Sequence, residues 1–314
     1  MLSSDLAVVF PGQGAQYIGM DAVIDRELLA EADAILGRPL SKICAEGPLE
    51  ELTDTGNAQP AVFLADISYW RRISARLSEK PLFMAGHSLG EYAAYCAAGA
   101  LDLATALKLV QRRAQLMAAA ARKHKGGMAA VIGLGAAQVQ KVLDGFSEEL
   151  VIANYNSPQQ VVISGSWSAI DVARPRLAAA GAKKVAPLAV SGAFHSTFMA
   201  EAAEEFAADI EGATIREARI PVISNVLARP ARDAREIRES LQQQISGSVL
   251  WQQSVLYMVE NGACVFLEAG PGKVLTGLIK RIAPACTAMA ADSFKDDESL
   301  AVDLPASLAA SQGG

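Results

Sequence analysis

Pro81-Leu82-Phe83-Met84-Ala85-Gly86-His87-Ser88-Leu89-Gly90-Glu91-Tyr92-Ala93-Ala94-Tyr95-Cys96 is the stretch whose reading decides the fold. A short apolar run, a G-x-S-x-G pentapeptide and an alanine-rich helical pattern stand in that order, which is the strand, sharp turn and helix of a nucleophile elbow. Ser88 is therefore the candidate nucleophile. Side chains at positions 86 and 90 would obstruct the close approach of strand and helix that such a turn needs. A helix beginning near Leu89 would aim its free N–H groups at the carbonyl oxygen of the group under attack.

Upstream, Leu6-Ala7-Val8-Val9-Phe10 reads as a buried parallel strand ending in Pro11-Gly12-Gln13-Gly14-Ala15-Gln16. That loop lacks the lysine of a phosphate-binding loop and the spacing of a dinucleotide site. It is either a tight turn or the source of a backbone N–H donor, from Gln13, facing the elbow. Residues 21–36 and 47–54 read as helices, and Asn57-Ala58-Gln59-Pro60 opens another that runs to about Leu77. Arg71, Arg72 and Arg76 give this last helix a basic face.

Downstream, a helix from about Asp102 to Ala121 carries Arg112 and Arg113 inside an apolar pattern. An arginine buried there needs an anion. Either it pairs with a carboxylate of the chain, or it faces a pocket and awaits a carboxylate on a substrate. The basic run Arg122-Lys123-His124-Lys125-Gly126-Gly127 reads as an exposed linker. Residues 128–190 then follow a βαββαβ order, the split βαβ of a ferredoxin-like unit. The chain is thus expected to be α/β: a large domain over 1–125 and 191–286, a ferredoxin-like insertion over 126–190, and a flexible, compositionally simple tail over 287–314.

With 314 residues, 51% hydrophobic and 20% charged, the chain has the composition of a globular protein and the length for one large core with a smaller one. Charges interrupt every long apolar run, so no membrane span is expected, and the first residues lack the basic start of a signal peptide. Cysteines at 44, 96, 264 and 286 have neither metal-ligand nor disulfide-framework spacing. A reducing, cytoplasmic setting and a monomer are expected. A formal charge of −6 argues against nucleic-acid binding.

A serine needs a base within hydrogen-bond reach. Of the three histidines, His87 adjoins the serine and would point away, packing or lining the site, while His124 lies in the exposed basic run. His195 remains, in the loop Ser191-Gly192-Ala193-Phe194-His195-Ser196. The acids between Ser88 and His195, among them Asp144, Glu148, Glu149 and Asp171, fall mostly in the inserted unit. A carbonyl or amide is therefore the expected orienter of the imidazole, which departs from an ordinary hydrolase.

Phe10-Pro11-Gly12-Gln13-Gly14-Ala15-Gln16, Gly86-His87-Ser88-Leu89-Gly90-Glu91-Tyr92, Asn154-Tyr155-Asn156-Ser157-Pro158, Gly192-Ala193-Phe194-His195-Ser196 and Glu268-Ala269-Gly270-Pro271-Gly272-Lys273-Val274-Leu275 resemble, in order, the signatures of malonyl-CoA:acyl carrier protein transacylases. The resemblance implies a hydrolase-like large domain and a ping-pong transfer of malonyl from malonyl-CoA to the thiol of an acyl carrier protein, with no metal or redox cofactor. It implies Ser88 as the acylated residue, His195 as base, and the Gln244 carbonyl as the orienter of the histidine. Gln13 and Leu89 would supply oxyanion-hole amides, and Arg113 would clamp the malonyl carboxylate. Asn156 would be a pocket residue, and Phe194 would match the malonyl-selecting form of its loop. Ser248-Val249-Leu250-Trp251 departs from the family's usual proline and valine before the tryptophan, which bears on the geometry near Gln244.

A thioester hydrolase on the same scaffold is the alternative, and Arg113 counts against it because an editing hydrolase gains nothing from a carboxylate clamp. Arg71, Arg72, Arg76, Lys183, Lys184, Lys280 and Arg281 are candidates for docking an acidic carrier protein.

Overall fold

The computed structural model describes residues 5–146 and 150–293. β1 (Leu6–Phe10) is apolar and buried throughout, as a strand covered on both faces must be. The chain then forms α1 (Arg26–Leu36), α2 (Leu40–Glu46), α3 (Leu49–Thr53) and α4 (Thr55–Ser74). α4 starts two residues earlier than its pattern suggests, because the Asp54 side chain accepts from Gly56 N–H and caps it. Pro60 sits inside α4, and the Gly56 carbonyl that its missing N–H would have served accepts instead from Arg38 at 2.7 Å.

β2 (Phe83–Gly86), α5 (Gly90–Ala97) and α6 (Leu103–Lys123) follow. Next come β3 (Gly127–Ile132), α7 (Ala136–Leu143), β4 (Leu150–Ser157), β5 (Gln160–Gly165), α8 (Trp167–Ala179) and β6 (Lys184–Pro187), in the expected βαββαβ order. The remainder is α9 (Ala200–Gly212), β7 (Val222–Ile223), β8 (Pro230–Ala231), α10 (Ala234–Gln244), α11 (Trp251–Glu260), β9 (Val265–Glu268), α12 (Val274–Ile282) and β10 (Thr287–Ala290).

The strands make two sheets. One has the order β10-β9-β1-β2-β7-β8, with only the β7–β8 pair antiparallel. The other, β4-β5-β3-β6, is antiparallel throughout. Alternate residues of β1 feed two cores: Leu6, Val8 and Phe10 pack with α4, α5, α6 and α9, whereas Ala7 and Val9 pack with α11 and α12. A third core fills the space between the antiparallel sheet and α7 and α8. No helix among the described residues is long and apolar enough to cross a membrane.

Register places the chemistry. Phe10 is the partner of Gly86 and Val9 that of Glu268, so the 11–16 loop, the elbow and the turn at Gly270 all leave the sheet at the same carboxyl edge. Such an edge is where parallel sheets bind ligands. The two sheets are also joined by backbone: Tyr155 N–H donates to the Val249 carbonyl at 2.9 Å, and Val249 N–H to the Ala153 carbonyl at 2.8 Å.

One expectation is corrected. The segment expected as a flexible tail from 287 begins with β10, which pairs in parallel with β9, followed by a turn of 3₁₀ helix over Ala291–Ser293. Its small residues look tail-like by composition, yet small side chains are what let α12 lie close against an edge strand. The Asp292 carboxylate also accepts from Gly272 N–H at 2.9 Å and from the Tyr69 hydroxyl. The rest of that segment, like Glu148 and Glu149, lies outside the described residues.

Candidate active site

The elbow is as tight as its sequence demands. A Cβ on Gly86 would overlap the Gly90 carbonyl carbon, and one on Gly90 would overlap the Phe10 carbonyl oxygen. Ser88 itself has φ 53°, a left-handed conformation that costs a side-chain-bearing residue energy and needs bracing. Asn225, just beyond β7, supplies the brace: its Oδ1 accepts from Ser88 N–H at 2.7 Å and its Nδ2 donates to the Gly86 carbonyl at 2.6 Å.

Across from the elbow, His195 is also left-handed, with φ 56°. Ser164 Oγ donates to the Phe194 carbonyl at 2.7 Å and Ser196 Oγ to the Ala193 carbonyl at 2.6 Å, holding the loop on both sides of the ring. His195 Nε2 lies 2.7 Å from Ser88 Oγ, and Nδ1 lies 3.0 Å from both the Gln244 and the Gly247 carbonyls. Carbonyls only accept, so Nδ1 carries the proton and Nε2 is left to accept the serine's. Burial, then the charge of Arg113, pushes the imidazole down to about 3, so the ring rests neutral.

The two arginines of α6 separate cleanly. Arg112 is half-exposed and pairs with Glu205 and with Asp209 at 3.1 Å, on α9. Arg113 is 1% exposed and has no carboxylate within ion-pair distance among the described residues. Its Nη1 donates to Gln59 Oε1 at 2.7 Å, Nε to Gln244 Oε1 at 3.2 Å and Nη2 to Ser88 Oγ at 3.0 Å. The first of the two open readings, pairing with a carboxylate of the chain, is not met among the described residues, and the guanidinium lines a pocket. Desolvation lowers its pKa, yet an arginine stays charged.

The pocket is a cavity of about 260 Å³ lined by Gln13, Ser88, Arg113, Asn156, Phe194 and His195, among others. His87 lines it too without addressing Ser88 Oγ: its Nε2 lies 2.9 Å from Asn156 Oδ1 and its ring packs on Trp251 at 5.6 Å between centroids. Burial lowers its pKa, so it also rests neutral. Leu89 does not line the cavity with its side chain, which is buried beneath it. The Leu89 and Gln13 backbone N–H groups nevertheless donate to no group among the described residues; Leu89 follows the serine directly and Gln13 lines the same cavity. The departure at 248–250 leaves Gln244 in reach of His195, because Ser248 Oγ anchors that loop to the Ile152 carbonyl at 2.8 Å.

Four contributors escaped the sequence reading: Gln59, Glu91, Asn225 and Gly247. Glu91 carried a signal, a carboxylate one turn after the serine on an otherwise apolar helix face. Gly247 contributes only its carbonyl, which no residue identity announces. Among the described residues, no cluster of three or more His, Cys, Asp or Glu could hold a metal ion.

Residues 7–300 match the model of the acyl transferase domain. The malonyl CoA-acyl carrier protein transacylase of Salmonella typhimurium is 41% identical over 295 residues, spanning 91% of this chain and 96% of that protein. A polyketide biosynthesis malonyl CoA-acyl carrier protein transacylase from Bacillus velezensis is 44% identical over 285 residues, 88% of this chain and 96% of that one. A malonyl-transacylase solved in complex with its type II polyketide synthase acyl-carrier protein superposes with a TM-score of 0.89 at 38% identity, covering 95% of this chain and 98% of that one. With its nucleophile elbow, its neutral histidine and its buried arginine on one cavity, the chain belongs to the family of malonyl-CoA:acyl carrier protein transacylases.

Proposed function

We propose that this protein moves malonyl groups from malonyl-CoA to the phosphopantetheine thiol of an acyl carrier protein, through a malonyl ester on Ser88. The observation that carries the reading is that one partly buried serine hydroxyl is met by both a neutral imidazole and a buried guanidinium that has no carboxylate partner among the described residues. Arg113 takes the malonyl carboxylate in two parallel charge-assisted bonds, a geometry that sets the thioester carbonyl over Ser88. Ser88 Oγ attacks that carbonyl while His195 Nε2 takes the hydroxyl proton. The oxyanion lies against the N–H groups of Gln13 and Leu89. Collapse breaks the C–S bond, and His195 returns its proton to the departing CoA thiolate. The carrier's thiol then repeats the sequence in reverse, His195 taking its proton and giving it back to Ser88.

Every proton and leaving group in this cycle is handled by side chains and backbone amides, so the proposed reaction draws on no metal or redox cofactor; malonyl-CoA enters as substrate. Asn156 and Phe194 shape the acyl pocket, with His87 fixed behind Asn156. We assign the enzyme to the cytoplasm, where CoA thioesters and carrier proteins meet. Arg281 donates to Gln160 at 3.2 Å on the rim of the cavity, which favours it among the basic residues as a carrier contact.

The test is intact-mass spectrometry after exposure to malonyl-CoA. A gain of one malonyl group that Ser88→Ala abolishes, discharged by holo carrier protein and persistent without it, is the expected result. Rapid discharge to water would make the protein a thioester hydrolase instead.

A further inference from the structure

Glu91, on the first turn of α5, is fully buried and takes no part in the cycle above. Its Oε1 accepts from Asn225 N–H at 3.2 Å and its Oε2 from Gln244 Nε2 at 2.6 Å. The same Gln244 Nε2 donates to the Ser88 carbonyl at 2.7 Å, so both of its hydrogens are engaged. Gln244 Oε1 is thereby turned to Arg113 Nε at 3.2 Å, while the backbone carbonyl of Gln244 holds His195 Nδ1. An amide turned end for end would present its NH₂ group to a donor-only guanidinium.

We propose that Glu91 is a positioning residue for malonyl selection: as an acceptor at both oxygens, it fixes which end of the Gln244 amide faces Arg113, and so aims the guanidinium at a substrate carboxylate. The inference rests on the malonyl-transfer reading above. Both partners of Glu91 are N–H donors, so only the ionised carboxylate matches them fully. Arg113 from α6 and Tyr92 and Tyr95 from α5 are the charged and titratable groups that face it. Burial raises the carboxyl to about 7, partly offset by Gln244, Asn225 and Arg113, so mild acid protonates it in the folded enzyme. An acetyl group has no carboxylate for the guanidinium to hold, so acetyl transfer is the internal control.

The experiment compares kcat and KM for malonyl-CoA and acetyl-CoA, with holo carrier protein, in the wild type and Glu91→Gln between about pH 5.5 and 9. In the wild type, the malonyl-to-acetyl ratio of kcat/KM falls on acidification through about 7. In Glu91→Gln that ratio is roughly tenfold lower at pH 8, mainly through a higher malonyl-CoA KM, and it no longer depends on pH. A variant with the wild-type ratio and profile, or one that loses both activities equally, overturns the proposal. If Glu91→Gln does not fold, the wild-type ratio decides, and a ratio constant with pH overturns it. A wild type that takes no malonyl onto Ser88 sinks the functional reading and this proposal with it, whereas a malonylated wild type with an unaltered variant sinks this proposal alone.

Discussion

Arg113 Nη2 stands 3.0 Å from Ser88 Oγ and can only donate to it. The hydroxyl proton is thereby directed to the remaining neighbour, His195 Nε2, at 2.7 Å. The resting guanidinium thus occupies a lone pair of the nucleophile. A substrate carboxylate that draws Arg113 onto itself would release that lone pair and offset the positive charge that, after burial, most depresses the imidazole. On the proposed mechanism, recognition of the acyl group and activation of the serine are two effects of one movement of charge.

Arg113→Ala therefore loses malonyl transfer selectively. The ratio of malonyl to acetyl kcat/KM falls on the order of 10³-fold, because the clamp supplies charge-assisted bonds that acetyl never uses. Parallel assays with the two CoA thioesters check it, and an unchanged ratio refutes the clamp.

His195→Ala retains the cavity and the two unused amides but has no base. Ser88 acylation by malonyl-CoA slows by roughly 10²- to 10⁴-fold, read as the rate of mass gain in single-turnover mixing.

His195 also shapes acid stability. Its folded pKa of about 3 lies below its ordinary 6.5, so the unfolded chain binds a proton that the folded chain refuses. Stability is intact above about 6.5 and is lost as pH falls toward 3, at up to about 1.4 kcal/mol per pH unit from this group. His195→Asn removes that share while His87, whose pKa is also lowered, keeps its own. Urea unfolding at stepped pH should show a shallower acid-side slope in the variant.

Gly90→Ala strikes the elbow from behind. The added methyl meets the backbone oxygen of Phe10 on the neighbouring strand, which cannot step aside without breaking the β1–β2 register. A loss of roughly 3 kcal/mol or more is expected, measured as a shift of the urea midpoint.

How much of this was legible in the chain varied with the kind of contact. Ser88, His195 and the two alternatives for Arg113 could be read because nucleophile, base and buried cation each require a particular side chain. The inserted βαββαβ unit was legible through its switch of hydrophobic period. The proposed oxyanion donors and the carbonyls of Gln244 and Gly247 belong to the backbone: the glycine-rich loop and the start of the helix pointed to the amides near Gln13 and Leu89, only the resemblance named the Gln244 carbonyl, and nothing pointed to Gly247. Asn225 and Gln59 act across separations of 137 and 54 residues, which no local pattern reveals. β10 was missed because its alanines look alike in a strand and in a tail.

The stitch between β4 and Val249 gears the two sheets together. Gly247, whose carbonyl seats the imidazole, lies two residues from Val249, and Asn154 and Asn156 ride on β4 itself. A displacement of the smaller sheet against the larger one would therefore be felt at the His195 ring, because the cavity wall on β4 and the seat of the imidazole hang on the same short run of backbone.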